Sequence, residues 1–395
     1  MTARIVLFTG KGGVGKTTSA AGTATLSARA GQRTLVLSTD AAHSLGDAFG
    51  LAVVGPEPVE VERDLWVHQV DVQRRFERSW GEIQGYLVSV LDAAGVDPIT
   101  AEELTVIPGA EEVLALLELR NHAVSGAWDV IVVDCAPTAE TLRLLALPEA
   151  LGWYMTRVFG VQRRVVRALR PVLTRAAGVP MPEDSVFEAV ERLHRDLEEV
   201  QQILSEKGST VRLVLTPESV VVAEARRSLT TLSLYGYRVD GVIANRVFPE
   251  GEGDAWREGW VTSQAAVLAE VRQSFADLPI WRSDYRPGEP VGTDALAALA
   301  EAAYAGDDPL AASRGEGPMT ITRTGTGAVL RIALPFAQKQ DVDLARHGDE
   351  LVVTVGSYRR LLALPAALRR HTVAAARVED GALQVRFRFE QEGQA

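Results

Sequence analysis

Over the first three quarters of the chain, short uninterrupted apolar runs alternate with stretches of helical period. Ile5–Thr9, Thr34–Ser38, Val130–Val133, Val211–Leu215 and Val239–Ala244 are each apolar and rich in β-branched residues. Continuous runs of this kind suit strands of a parallel sheet covered on both faces, where no alternation is needed. Thr17–Ala30 is rich in alanine and is followed by Gly31, the pattern of a helix with a glycine stop. The order strand–helix–strand predicts a doubly wound, mostly parallel α/β sheet. Between about residues 74 and 207 the helical period dominates, and Val186, Val190, Leu193, Leu197, Val200 and Leu204 mark a long amphipathic helix.

The pattern changes near the C-terminus. Glycine, proline, serine and acidic residues cluster in Gly306-Asp307-Asp308-Pro309 and Gly315-Glu316-Gly317-Pro318, which predicts a linker over 306–318. Beyond it the apolar period becomes two, in Val329–Leu334, Leu351–Val355, Tyr358–Leu364 and Leu383–Phe389, with Gly348 and Asp380-Gly381 as turns. The expected organisation is an α/β domain over 1–305 and a small all-β sandwich over 319–391.

Composition narrows the chemistry. Hydrophobic residues make up 47% of the 395 and charged residues 24%, enough for a sizeable core. Cys135 is the only cysteine, which excludes an intramolecular disulfide and any paired-cysteine zinc site or iron–sulfur cluster held by one chain. The net charge of −11 argues against general nucleic-acid binding, since phosphate neutralisation needs a basic surface. The opening apolar run is too short for a signal peptide, and no stretch reaches the ~18 apolar residues of a membrane span. A cytoplasmic protein without stable membrane insertion is expected. Lysine occurs only at Lys11, Lys16, Lys207 and Lys339, against 41 basic residues in all, so two of four fall in the first turn region.

Those two lie in Gly10-Lys11-Gly12-Gly13-Val14-Gly15-Lys16-Thr17, followed by Thr18, between a predicted strand and a predicted helix. This is the phosphate-binding P-loop pattern. Glycines let backbone N–H groups turn inward around the β-phosphate, and the helix start adds its positive end. Lys16 would reach the β- and γ-phosphates of ATP or ADP, and the Thr17 hydroxyl would ligate Mg²⁺. Asp40 and Asp134 each end an apolar strand, the edge of an α/β sheet where ligands bind. A lone carboxylate at Asp40 could instead cap a helix, the lesser of the two readings.

Four motifs in order carry a resemblance: the P-loop, Ser38-Thr39-Asp40-Ala41-Ala42-His43-Ser44-Leu45, Pro108-Gly109-Ala110-Glu111-Glu112, and Asp134-Cys135-Ala136-Pro137-Thr138-Ala139-Glu140-Thr141-Leu142. Together with Ile243–Val247 and Leu278–Leu296 they resemble the arsenite-pump and tail-anchored-protein-targeting ATPase family over roughly residues 1–305. The resemblance implies a homodimer closed by ATP and opened by hydrolysis. It implies that Lys11 reaches across to the partner's nucleotide, that Asp40 of switch I positions the attacking water, and that Asp134 of switch II is linked to Mg²⁺. It also implies that Asn245 hydrogen-bonds adenine, a position where a plain turn asparagine is the other reading, and that Arg286–Pro290, Pro287 included, closes over the base. Ala41 replaces the family's proline, and Ala139 and Glu140 replace its Gly-His, so switch II loses a glycine. Cys135 reads as a small buried thiol rather than a redox group.

The client side is sketched more faintly. The resemblance places a helical, client-facing region within about 75–205. Trp153–Gly178 there interleaves Trp153, Met155, Phe159 and Val166 with Arg157, Arg163, Arg164 and Arg167. Such a stretch can hold a hydrophobic protein segment, lie on an anionic membrane, or be a packed helix with a solvated arginine face. The tail resembles the α-crystallin, or small heat-shock protein, domain through Gly348–Val355, Leu364-Pro365 and Val378–Leu383. The arsenite pumps' metalloid cysteines and the targeting factors' zinc clamp are both absent. The expectation is a Mg²⁺-dependent ATPase that binds and releases a hydrophobic client. The alternatives are a nucleotide-regulated binding module and an oxyanion-pump motor.

Overall fold

The computed structural model describes residues 3–40, 44–51, 57–70, 110–136, 184–251, 254–311, 315–325 and 327–388, with a few single positions between 88 and 146. The chain divides into two compact units, one of residues 1–69, 126–142 and 204–395, the other of residues 70–125 and 143–203.

The first unit is built on eight strands: β1 (Arg4–Thr9), β2 (Thr34–Ser38), β3 (Val59–Glu62), β4 (Leu65–Gln69), β5 (Val130–Asp134), β6 (Ser209–Leu215), β7 (Val239–Val247) and β8 (Ile280–Asp284). Their order in the sheet is β3-β4-β2-β5-β1-β6-β7-β8. All neighbours are parallel except β3, which folds back on β4. The five apolar runs form the centre and are buried along almost their whole length, as continuous hydrophobicity requires. Sequence pattern misses β3, β4 and β8. Val59-Glu60-Val61-Glu62 is charged and half exposed, and Ile280-Trp281-Arg282-Ser283-Asp284 is mostly polar. These edge segments become strands through pairing rather than through an apolar run of their own.

Helix α1 (Lys16–Arg29) follows β1 and is walled in by Ala20, Ala21, Ala24 and Ala28, all buried. A Cβ on Gly22 would lie 2.7 Å from the Leu296 carbonyl, so only glycine lets α1 approach the late helix Thr293–Tyr304 this closely. Within the core, Arg212 on β6 is 1% exposed and pairs with Asp240 at 2.8 Å, while Trp281 stacks on its guanidinium at 4.5 Å. A buried charge of this kind persists because it is paired and hydrogen-bonded.

The C-terminal strands form two antiparallel sheets. One runs β14 (Thr372–Glu379), β15 (Ala382–Arg388), β10 (Gly327–Ala333), β9 (Met319–Thr324). The other runs β11 (Val342–His347), β12 (Glu350–Val355), β13 (Tyr358–Ala363). Period-two alternation turns Leu330, Ile332, Leu351, Val353, Leu383, Val385 and Phe387 inward. Leu234, near the end of the helix Ser219–Tyr235, joins that same apolar cluster. The Arg360 guanidinium donates to the Leu234 carbonyl, and the Tyr235 hydroxyl donates to the Arg359 carbonyl at 3.3 Å. The described parts of the expected linker are pinned by Trp281 on Asp307, Arg4 on the Leu310 carbonyl and Arg238 on the Gly315 carbonyl.

In the second unit lie helix Ala110–Val124 and most of helix Asp184–Ser205, the amphipathic helix expected from its apolar seam. Arg120 bonds Glu199 at 2.8 Å within this unit. The Trp153–Gly178 segment lies outside the described residues. No described helix is long and apolar enough to cross a membrane.

Candidate nucleotide site

Strand order brings three candidate elements side by side. In the register of β2, β5 and β1, Asp134 stands opposite Ser38 on one side and Phe8 on the other. The P-loop leaves β1 at Thr9, Asp40 follows β2, and Asp134 ends β5 between them. Parallel strands place all three carboxyl-terminal edges on one rim, the usual ligand edge of such sheets. Thr39 N–H donates to the Asp134 carbonyl at 3.0 Å, and Cys135 N–H donates to the Phe8 carbonyl at 3.1 Å, which locks the three loops together.

The P-loop has the shape of an anion cradle. Gly13 and Gly15 sit at φ 79° and 94°, a left-handed backbone that turns N–H groups inward and that glycine adopts without strain. A Cβ added at Gly12 or Gly13 would meet nothing within 4 Å. Gly15 is instead hemmed in, since a Cβ there would lie 2.1 Å from Asn245 Nδ2. Lys16 begins α1, is 6% exposed, and its Nζ reaches back to the Lys11 carbonyl at 3.5 Å. Lys11 itself is exposed. The Thr17 and Ser44 hydroxyls are 3.2 Å apart, so Ser44 joins the rim, a residue the sequence motif contains without assigning it a task.

Asp134 is fully buried, and among the described residues neither carboxylate oxygen has a hydrogen bond of good geometry. Burial pushes its carboxyl up to about 7, opposed by the nearby Thr17 hydroxyl and the Lys16 charge and reinforced by Asp40. An orphaned buried carboxylate costs stability unless something else completes it. The donor set of Thr17 hydroxyl and Asp134 carboxylate, all oxygen, suits Mg²⁺, which keeps part of its water and is held by few protein groups. Burial raises the Cys135 thiol, which rests against the Val133 carbonyl at 3.9 Å, consistent with an inert side chain.

A cavity of about 590 Å³ opens beside the P-loop, between Gly15, Thr18 and Asn245 on one side and Asp284–Pro290 on the other. Asn245 and Pro287 therefore line one space, as the resemblance implies for a base pocket. Phe248 and Tyr285 also line it and stack on each other with planes 5° apart, and Trp256 and Trp260 pack on Phe248. No motif points to these aromatics, because Phe248 and Tyr285 come from two separate loops and the tryptophans from the helix Ala255–Ser274. Ala41, Ala42, His43, Ala139 and Glu140 lie outside the described residues, as do Pro108 and Gly109.

The family model for the anion-transporting ATPases matches residues 3–305, and the model for the HSP20-like domain found with them matches residues 325–387. The chain belongs to the ArsA ATPase family. A Chlorobaculum tepidum protein named "Putative arsenical pump-driving ATPase" is 37% identical over 395 residues, covering 99% of this chain and 97% of the relative. An Aquifex aeolicus protein named "Putative arsenical pump-driving ATPase 1" is 33% identical over 390 residues, covering 95% of this chain and 98% of the relative. A Trypanosoma cruzi "ATPase ASNA1 homolog" is 28% identical over 74% of this chain and 88% of its own length. An ArsA-family ATPase domain followed by an HSP20-like β domain accounts for both halves of the fold.

Proposed function

We propose that this ArsA-family protein is a Mg²⁺-dependent ATP hydrolase whose nucleotide state switches a homodimer between binding and releasing a hydrophobic client. The observation that carries the hydrolytic part is Asp134. It is a buried carboxylate beside Thr17 and Lys16, with no hydrogen bond of good geometry among the described residues, at a rim that also holds Asp40. In this reading the P-loop amides and Lys16 hold the phosphates, Thr17 and Asp134 hold Mg²⁺, and Asp40 orients the attacking water. Mg²⁺ would supply charge neutralisation between the β- and γ-phosphates. Lys11 is exposed on the P-loop, and in this reading it is the finger that reaches a second subunit's phosphates in trans. The client would be an apolar protein segment, or an anionic membrane surface, met by the Trp153–Gly178 region on the strength of its sequence.

The test is phosphate release by the wild type and by Lys11→Arg and Lys11→Ala, alongside light scattering with ATP and with ADP. Loss of turnover in both variants, with ADP affinity kept, supports the two-subunit reading. A monomer that turns over in every nucleotide state sinks it. The relatives' names favour a second reading, a motor that drives an oxyanion pump. Cys135 is buried and its thiol pushed up, so the oxyanion ligands in that case would come from a partner.

A further inference from the structure

Strand β7 does not end as its neighbours do. Its pairing with β8 runs Ala244 with Arg282 and then Val247 with Asp284, so Asn245 and Arg246 together face the single residue Ser283. This is a β-bulge, the device by which a strand re-aims a side chain beside a site. Arg246 takes φ 57°, a left-handed conformation that strains any residue with a Cβ. Two adjacent side chains, Asn245 and Arg246, thereby line the same cavity.

The bulge is held from outside by Gln264, on the helix Ala255–Ser274. Gln264 is 5% exposed. Its Nε2 donates to the Arg246 carbonyl at 3.2 Å, and its Oε1 accepts from Phe248 N–H at 2.8 Å. One buried amide thus satisfies the two backbone groups on either side of Val247, the role that a neighbouring strand plays in a regular ladder. Nothing in the sequence motif or the relatives' names assigns this residue a task.

We infer that Gln264 is a positioning residue for nucleobase recognition, acting through the bulge on Asn245. The inference rests on the reading of the 590 Å³ cavity as the base pocket. Asn245 Nδ2 donates to the Val14 carbonyl at 2.8 Å, and since a carbonyl only accepts, the amide nitrogen must face the P-loop. That leaves one N–H donor and the Oδ1 acceptor. Adenine offers an amino donor and a ring-nitrogen acceptor on one edge, whereas guanine offers two acceptors there. The remaining Asn245 pair matches the first and not the second. The discrimination depends on where the amide stands, and that is fixed by the bulge and hence by Gln264.

The experiment measures dissociation constants of the full chain for ADP, GDP and pyrophosphate, with thermal unfolding of the nucleotide-free protein. Gln264→Leu keeps the side chain's bulk and removes both hydrogen bonds. It is expected to reduce the ADP-over-GDP preference by roughly 10-fold, chiefly by weakening ADP, while pyrophosphate affinity stays within about 2-fold. Arg246→Gly added to Gln264→Leu is expected to restore part of the preference lost, because glycine holds φ 57° without help. Should Gln264→Leu fail to fold, Gln264→Glu is read in its place, since it keeps the acceptor for Phe248 N–H and loses only the donor. Equal weakening of ADP, GDP and pyrophosphate would show a merely structural residue and overturn the inference. An unchanged ADP-to-GDP ratio in Gln264→Leu, with the ratio collapsed in Asn245→Ala, overturns it while leaving the base pocket standing. A ratio unmoved by Asn245→Ala would remove the base-pocket reading itself.

Discussion

The parallel sheet and the C-terminal sandwich bury apolar side chains equally well, yet they treat polar groups in opposite ways. The sheet buries Lys16, Asp134, Arg212, Asp240 and Asn245, while in the described part of 319–388 Arg360 is the only buried charged or polar side chain. Arg360 there spans to a helix carbonyl and so serves docking. In the sheet, the Arg212–Asp240 pair is satisfied internally, whereas Asp134 has no hydrogen bond of good geometry among the described residues. A fold optimised only for stability would not keep such a group. The contrast sets the candidate chemistry at the sheet rim rather than in the described part of the sandwich.

The sharpest way to break this contrast is at the rim. Lys16→Ala is expected to weaken ADP binding by ~2–4 kcal/mol through the lost charge-assisted bonds, with little change in unfolding temperature. Asp40→Asn is expected to lower turnover at least ~100-fold while trapping ATP. Near-wild-type calorimetry for the first, or near-wild-type phosphate release for the second, would move the active rim elsewhere.

A comparable insult to the sandwich should do the reverse. Val385 is fully buried in its core, so Val385→Ala is expected to destabilise by ~2–3 kcal/mol. ADP affinity measured on the folded protein should stay put. If affinity falls in step, the two regions are energetically one.

Asp134→Asn sharpens the comparison from the stability side. The folded carboxyl is raised to about 7, above its unfolded value, so the wild type without Mg²⁺ loses stability as pH rises from about 4 through about 7. Above that range the cost is fully present. The asparagine variant lacks it, so it should be more stable than wild type by ~1–3 kcal/mol at pH 8 and about equal at pH 4. Mg²⁺ should no longer add to nucleotide affinity. Parallel denaturation curves at both pH values would mean that another group compensates the carboxylate.

The smallest effect is expected at Asp129, which Arg33 holds down to about 2 by bidentate bonding at the sheet's opposite end. Its stabilisation is present above the unfolded value near 4 and is lost as pH falls through about 2. Because the pair is solvated, Asp129→Asn should cost less than ~1 kcal/mol at pH 7, and less still in high salt. A larger loss would make the opposite edge as critical as the rim.

Some of this was written plainly in the chain. The continuous apolar runs at Val130 and Val211, the glycines around Lys16 and the alternation around Leu383 each state a local requirement that only one kind of element meets. The same local reading places Asp40 and Asp134 at strand ends, hence on one rim. It could not supply β8 or β3, whose residues become strand by pairing, nor the aromatic stack of Phe248 and Tyr285, which lie 37 positions apart in sequence.

What the sequence determined alone was therefore the set of elements and the P-loop, because periodicity and glycine placement act within a few residues. Only the tertiary structure decided that Asn245 faces Val14, that Arg246 is bulged into a left-handed turn, and that Gln264 bonds the backbone on either side of Val247. The physical reason is that a buried hydrogen bond between distant segments has no period and no spacing. It is selected after the sheet has brought its partners together, by the cost of leaving either one unpaired.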